Sequence, residues 1–157
     1  MNLKNIAIAL SLLGLLTSCG GGGNETTVPK AQPVEATFAD IGGYIVHFSA
    51  QSTDLLPKEV ARAYDIIRSK NRAMLNVSII EKGTNKAASA NVTVKTVNLT
   101  GQLKNVVMVK RQEQEAIYYI GVTPVANRET LIFDISVQPE GEAEVSQVRF
   151  KRQFYSD

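Results

Sequence analysis

The 157-residue sequence contains no tryptophan, one cysteine and one histidine. Because Cys19 has no second cysteine to pair with, an internal disulfide bond is excluded, and a metal centre lacks its usual cysteine and histidine ligands. His47 is the single candidate base for a nucleophilic mechanism, and no serine lies in a nucleophile-elbow motif. The acidic residues are scattered without a marked catalytic pair. We therefore expect a protein without enzymatic activity, metal or cofactor.

The sequence also lacks a block of like charges and a membrane-spanning apolar run. Its 17 Lys and Arg are interleaved with 15 Asp and Glu, so the net charge is only +2, and nucleic-acid binding is not expected. The longest apolar stretch, residues 6–16, is interrupted by Ser11. As a helix it would span about 16 Å, roughly half the hydrocarbon core, which is too short for a permanent span.

What the N-terminus does contain is an export signal. Lys4 precedes the apolar stretch, which ends in Leu16-Thr17-Ser18-Cys19. These last four residues resemble the bacterial lipobox, and the resemblance implies that residues 1–18 are a lipoprotein signal peptide removed before an acylated (palmitate-carrying) Cys19. The glycines that follow lack the inner-membrane retention signal. We therefore expect a lipid anchor in the outer membrane, with the domain facing the periplasm.

The segment 19–35 predicts a flexible linker between this anchor and the folded domain. It contains four consecutive glycines and two prolines and shows no apolar period. The remaining segment, 36–157, is expected to form one domain.

Residues from 34 onward alternate between apolar and polar side chains in short segments bounded by turn residues. This pattern predicts an all-β fold with one short helix at 57–65, which begins with Pro57 and is capped by Asp54. The expected architecture is an antiparallel immunoglobulin-like β-sandwich of about seven to eight strands, with a small barrel as the alternative. The predicted strands are 34–39, 44–50, 72–81, 90–99, 103–112, 116–123, 131–137 and 144–155.

Seven segments also carry a family resemblance. They resemble, in order, the small exported proteobacterial proteins grouped as domain of unknown function 4426, over residues 44–157. The resemblance implies export but no settled activity, and such proteins usually carry a plain export signal rather than a lipobox. The segments are 44–50 (YIVHFSA), 57–64 (PKEVARAY), 68–72 (RSKNR), 115–119 (EAIYY), 129–135 (ETLIFDI), 138–141 (QPEG) and 153–155 (QFY).

The first candidate site is a basic loop between the helix and the next strand. It places three cations and two hydrogen-bonding side chains in five residues, which could grip an anionic ligand or a partner. The alternative is a solvated loop in which a carboxylate tethers Arg72. The loop consists of Arg68, Ser69, Lys70, Asn71 and Arg72.

The second candidate site is a groove in which tyrosines stack on a ligand and nearby carboxylates bond to it. Its residues would be Tyr118, Tyr119, Glu113 and Glu115, although such tyrosines are also typical of a core or a corner. His47 is expected to be structural.

Our leading interpretation is a non-enzymatic outer-membrane lipoprotein whose β-sandwich binds another envelope protein. The alternative is a small-ligand or glycan-binding module at the tyrosines. A hydrolase is a third interpretation, and it requires a serine or a carboxylate within hydrogen-bond range of His47.

Overall fold

Nine strands, one α-helix and a 3-10 turn make up the regular structure of residues 36–157, the part of the chain that the computed structural model describes. The predicted signal peptide, Cys19 and the linker lie outside the described residues. The elements are β1 (Phe38–Ile41), β2 (Tyr44–Ser52), a 3-10 turn (Thr53–Leu55), α1 (Lys58–Ala63), β3 (Arg72–Glu81), β4 (Ala90–Asn98), β5 (Leu103–Lys104), β6 (Val109–Glu113), β7 (Ala116–Pro124), β8 (Thr130–Pro139) and β9 (Ser146–Gln153).

The strands form two antiparallel sheets. The first sheet has the order β1-β2-β3-β7-β6, and the second has the order β5-β4-β8-β9. In immunoglobulin notation β2-β3-β7-β6 is the ABED sheet and β4-β8-β9 is the CFG sheet. The predicted antiparallel immunoglobulin-like sandwich with one short helix is therefore confirmed, with nine strands in the described part of the chain.

The core lies between the two sheets and follows from alternation along each strand. In β8, Phe133 and Ile135 are buried while the residues between them are half-exposed. Phe150 of β9 joins the two sheets, because its ring lies 5.2 Å from that of Phe48 and 5.8 Å from that of Phe133. Each such fully buried side chain stabilises the fold by about 1.5–3 kcal/mol.

The predicted strand 103–112 is in fact two strands in different sheets. β5 pairs with β4, whereas β6 pairs with β7, and residues 105–108 cross between the sheets. Val106 is buried at this crossing, whereas Val107 and Val109, which the prediction placed in one continuous strand, are exposed. The crossing is possible because Gly121 of β7 has no side chain where Val106 packs.

An ion pair fixes β5 to the loop before β8. The Lys104 ammonium lies 2.8 Å from a Glu129 carboxylate oxygen, and both side chains are nearly buried. Burial alone would raise the pKa of Glu129, but hydrogen bonds from Lys104, the Ala126 amide and Asn98 outweigh it and lower that pKa.

Helix α1 packs on the outer face of the first sheet through a second apolar cluster of Leu56, Ala61, Met74 and Ile120. The helix is shorter than predicted, and Pro57 rather than Asp54 occupies its N-cap position. Asp54 lies in the 3-10 turn, so the predicted cap is wrong. No helix among residues 36–157 is long and apolar enough to cross a membrane.

Candidate functional site

A two-lobed groove, here named the α1–β6 groove, lies on the outer face of the first sheet. Both lobes are lined by Tyr64, at the end of α1, and by Ile120 of β7. The valine lobe has a volume of about 280 Å³, and its further walls include Ile66, Val107, Val109, Arg111 and Val122. The tyrosine lobe has a volume of about 190 Å³, and its further walls are Val60, Met74, Asn76, Glu113 and Tyr118.

The pairing of β6 with β7 brings the residues that line the groove together. Val109 of β6 lies opposite Ile120 of β7, and Arg111 lies opposite Tyr118. Because side chains two residues apart share a face, these four lie on the outer surface of the sheet, where α1 also packs. The groove therefore depends on alternation in β6 and β7 and on the position of the helix.

Tyr64 divides the two lobes and is held by β6. Its hydroxyl donates a 2.5 Å hydrogen bond to Glu113, and the Arg111 guanidinium carbon lies 6.0 Å from the centre of its ring. The hydrogen bond to Glu113, together with burial and the charge of Glu113, raises the pKa of Tyr64 to about 12, although Arg111 acts in the opposite direction. The phenol is therefore a neutral donor at physiological pH.

Asn76 of β3 places an unused hydrogen-bond acceptor beside the tyrosine lobe. Its side-chain oxygen is buried and has no hydrogen-bond partner within the described residues. A buried polar atom without a partner costs about 1–3 kcal/mol.

The structure brings together only part of the predicted tyrosine groove. Tyr118 and Glu113 share the tyrosine lobe. Tyr119 does not belong to the groove: it points into the core, where its hydroxyl accepts a 2.7 Å hydrogen bond from the Ala90 amide. Adjacent residues of a strand face opposite sides, so both tyrosines cannot line one surface. Glu115 is exposed in the turn between β6 and β7 and does not line the groove.

Sequence reasoning missed Tyr64, Arg111 and Asn76 as groove residues. The helical spacing of apolar residues in the predicted helix could have indicated that Tyr64 faces the sheet. The position of Arg111 required the sheet crossing at 105–108, which alternation alone does not reveal.

Hydrogen bonds from the side chain of Thr53, in the 3-10 turn, order the basic loop, residues 68–72. The buried Thr53 hydroxyl donates a 2.8 Å hydrogen bond to the Ile67 carbonyl and accepts one of 2.9 Å from the Ser69 amide. The Ser69 hydroxyl accepts a hydrogen bond from the Asn71 amide, and the Asn71 carbonyl accepts a 3.0 Å hydrogen bond from the Val125 amide, just after β7. Ser69 and Asn71 therefore order the loop.

Two cations of the basic loop contact main-chain oxygens. The Arg68 guanidinium donates to the Asp54 carbonyl, and the Lys70 ammonium donates a 2.7 Å hydrogen bond to a backbone oxygen of Asp157. Arg72 has no carboxylate within 4.0 Å in the described part of the chain. The expected tether from Arg72 to a carboxylate is therefore not formed.

His47 lies exposed on β2, with its ring centroid 6.2 Å from that of Phe38. It makes no side-chain hydrogen bond to a serine or a carboxylate of residues 36–157. These residues also contain no cluster of three or more metal-ligating His, Cys, Asp and Glu side chains.

Another hollow, of about 520 Å³, lies at the end of the sandwich formed by the 139–145 loop. Its walls include Ser89, Lys110 and Glu142, and the Lys110 ammonium donates a 2.8 Å hydrogen bond to the Ser89 hydroxyl. The walls of this hollow are mostly polar, whereas those of the α1–β6 groove are mostly apolar, so the groove is the better candidate binding site.

The fold and the groove define an immunoglobulin-like β-sandwich domain with an apolar surface groove. The model of the family Domain of unknown function (DUF4426) matches residues 38–157, and the chain belongs to this family. The family resemblance seen in the sequence is thereby confirmed.

A crystal structure of a DUF4426 family protein from Pseudomonas aeruginosa is similar to this chain. It shares 32% sequence identity, covers 76% of this chain and 94% of that chain, and has a TM-score of 0.67. No curated protein matches the chain.

Proposed function

We propose that the chain is a non-enzymatic lipoprotein of the bacterial envelope whose sandwich binds a segment of another envelope protein in the α1–β6 groove. Acylated Cys19 anchors it in the outer membrane, and the domain faces the periplasm. The lipobox-like Leu16-Thr17-Ser18-Cys19 and the glycines after it support this location.

The exposed apolar rim of the valine lobe carries the proposal. Val107 is 67% exposed and Val109 is 43% exposed, and both stand beside the largely buried floor residue Ile120. Contiguous exposed apolar surface with polar residues at its rim is typical of protein interaction sites. Here Arg111 and Asp65 supply the polar rim.

The division of the groove into two small lobes favours a protein segment with two anchor side chains over a single small molecule. Small-molecule sites have volumes of about 300–1,000 Å³, whereas the lobes measure about 280 and 190 Å³. Each lobe accommodates one apolar side chain, and such pockets receive the anchor residues that dominate protein interfaces.

The polar groups of the groove define the rest of the partner segment. The Glu113 carboxylate is a hydrogen-bond acceptor at the tyrosine lobe, so the segment should donate backbone or side-chain N–H groups between its two apolar anchors. Arg111, two residues before Glu113 on β6, lines the valine lobe and favours an acidic or carbonyl group there.

Photo-crosslinking in the native envelope tests the proposal. A photoreactive amino acid at Val107 should give one discrete adduct with another envelope protein. The same group at Val145, which is 53% exposed in the loop after β8 and lines no part of the groove, should not give it. Equal adducts from both positions, or none from Val107, would reject the groove as the interface.

A glycan or small-ligand function is a second candidate because Tyr118, Glu113 and Asn76 meet in the tyrosine lobe. An aromatic face beside a carboxylate and an amide is suited to a sugar ring. Nuclear magnetic resonance titration with peptidoglycan fragments would support it if shifts clustered at the tyrosine lobe and vanished in Tyr118→Ala. An unchanged spectrum would favour the protein partner.

A further inference from the structure

The outer edge of β9 is the longest unpaired strand edge in residues 36–157. The first sheet ends in β1 and β6, and the second sheet ends in β5 and β9. β9 has eight residues, whereas β1, β6 and β5 have four, five and two. All eight β9 residues pair with β8, and none makes a main-chain hydrogen bond to the main chain of another described segment. Such an edge offers main-chain donors and acceptors to a further strand.

β1 of the first sheet overhangs the position beside this edge. The ring of Phe48 in β2 lies 5.2 Å from that of Phe150 in β9, so β9 faces β2 across the core. β1 lies one strand beyond β2, whereas the second sheet ends at β9, so no strand within residues 36–157 faces β1. Ala39 and Ile41, the residues of β1 that pack toward the core, are only half-buried. A strand added to β9 would lie opposite β1 and cover them.

Charge distinguishes the strands of the second sheet from those of the first. The strands of the first sheet contain three cations and three acids, which balance. The strands of the second sheet contain five cations and one acid, and three of the cations lie on β9. Glu129, in the loop before β8, neutralises one of the others, Lys104. An acidic partner is therefore attracted to the second sheet, and to β9 in particular.

Two of the three β9 cations are available to a partner. The Arg149 guanidinium is already paired, because it donates hydrogen bonds of 2.6 and 3.0 Å to the Asp134 carboxylate. Lys151 and Arg152 are exposed, and neither has a carboxylate within 4.0 Å in the described part of the chain. They can therefore pair with acids of a partner without breaking an existing ion pair.

The acids of the segments that flank β9 do not neutralise these two cations. The loop 140–145 contains three glutamates and precedes Ser146, the first residue of the strand. Lys151 lies about 16 Å farther along the strand, whereas the Debye length is about 8 Å at physiological ionic strength. After the strand, the Asp157 carboxylate accepts a hydrogen bond from the side chain of Asn127. The second half of β9 is therefore the cationic part of the edge.

We propose that β9 receives an extended, acidic segment of another protein as an added strand of the second sheet. Main-chain hydrogen bonds along the edge hold the segment, and its carboxylates pair with Lys151 and Arg152. Its inward side chains are apolar and pack on Ala39 and Ile41. A second copy of this chain is disfavoured as the added strand, because it would bring the cations of two β9 strands together. The inference goes beyond the proposed function and depends on neither the α1–β6 groove nor the lipid anchor.

Hydrogen exchange of the β9 amides, followed by nuclear magnetic resonance, tests strand addition. The sample is the chain from residue 19 onward in a neutral detergent, and the probe is a peptide as long as β9 in which glutamate alternates with valine. The peptide should slow exchange at every second amide of β9, namely those that point away from β8. A peptide in which lysine alternates with valine should leave their exchange unchanged.

Two charge-neutralised variants separate contact at the edge from overall charge. The double variant Lys151→Gln, Arg152→Gln should weaken the affinity for the glutamate peptide by about tenfold, from about threefold for each exposed ion pair. Lys58→Gln, Arg62→Gln is the matched control, because it removes one lysine and one arginine from exposed positions of α1, on the first sheet. This control should leave the affinity unchanged. Circular dichroism confirms that both variants fold.

Three results would overturn strand addition. The first is exchange of the β9 amides that does not respond to the glutamate peptide, or equal affinities for the two double variants. The second is binding of phosphatidylglycerol vesicles through Lys151 and Arg152 without a response to the peptide, which would assign the cations to an anionic lipid surface. The third is protection of alternate β9 amides before the peptide is added that disappears when residues 24–35 are replaced by glycine and serine, which would assign the edge to the chain's own linker. The adduct from Val107 reports separately on the groove.

Discussion

Gly121→Ala should loosen the sheet crossing that builds the valine lobe. A Cβ atom at this position would lie 2.5 Å from Val106 Cγ1, 2.7 Å from Met108 Sδ and 3.3 Å from the Val107 carbonyl oxygen. Real Cβ contacts are essentially never shorter than 3.0 Å. Segment 105–108 must therefore move by about half an ångström or more, and Val107 moves with it.

Two opposing contributions decide whether Gly121→Ala raises or lowers the free energy of unfolding. Inserting a methyl group into a packed core costs about 1–3 kcal/mol. Replacing glycine by alanine reduces the entropy of the unfolded chain and returns about 0.4–1 kcal/mol. We therefore expect the free energy of unfolding to fall by about 1–2 kcal/mol, which corresponds to a decrease in Tm of about 3–10 °C for a domain of this size.

Thermal unfolding followed by circular dichroism measures this change. Gly43→Ala is the matched control, because its added Cβ meets no atom within 4 Å and its φ lies outside the left-handed region. Val106→Ala removes the closest contact, so the double variant with Gly121→Ala should be less destabilised than the sum of the single variants. Unchanged stability in Gly121→Ala, or strict additivity with Val106→Ala, would refute the packing argument.

Three other perturbations test the remaining contacts. Thr53→Val removes the hydroxyl beneath the basic loop and should cost about 1–3 kcal/mol, with faster amide exchange in that loop; unchanged exchange would contradict its ordering role. In an alkaline absorbance titration, Tyr64→Phe should remove the tyrosine ionisation that occurs near pH 12. If the variant instead loses an ionisation near pH 10, the ordinary pKa of tyrosine, the hydrogen bond to Glu113 is contradicted. Glu129→Gln leaves Lys104 unpaired and should cost about 3 kcal/mol at neutral pH. Because the pKa of Glu129 is lowered in the folded state, its contribution is present above the ordinary value of 4.5 and is lost as pH falls below it; the variant and the native chain should therefore converge in acid unfolding.

Alternation in the sequence predicted the sandwich because each long strand buries one face. β8 alternates over all ten residues and β3 alternates from Leu75 to Ile80; β3 has the predicted bounds, and β8 is one residue longer at its start and two at its end. The error at 103–112 arose because residues on both sides of the crossing are apolar. A glycine in the neighbouring strand β7, remote in the sequence, decides where the chain changes sheets.

The groove was predictable only in part for a related reason. Tyr118 and Glu113 lie on the two strands of one β-hairpin, so the predicted pairing of neighbouring strands already brings them close together. Tyr64 joins them from a helix 49 residues away from Glu113, and only tertiary packing brings that helix onto the sheet. The basic loop was visible as a motif, whereas the hydrogen bonds from Thr53 that order it depend on tertiary packing.

The affinity of the crosslinked envelope partner for two aspartate variants tests the central claim most directly. Val109→Asp places a charge in the valine lobe, and Val145→Asp places the same charge on an exposed apolar residue outside it. The account predicts that Val109→Asp weakens binding by at least about tenfold, or 1.4 kcal/mol. Val145→Asp should leave the affinity unchanged. Equal affinities for the two variants would contradict partner binding in the α1–β6 groove.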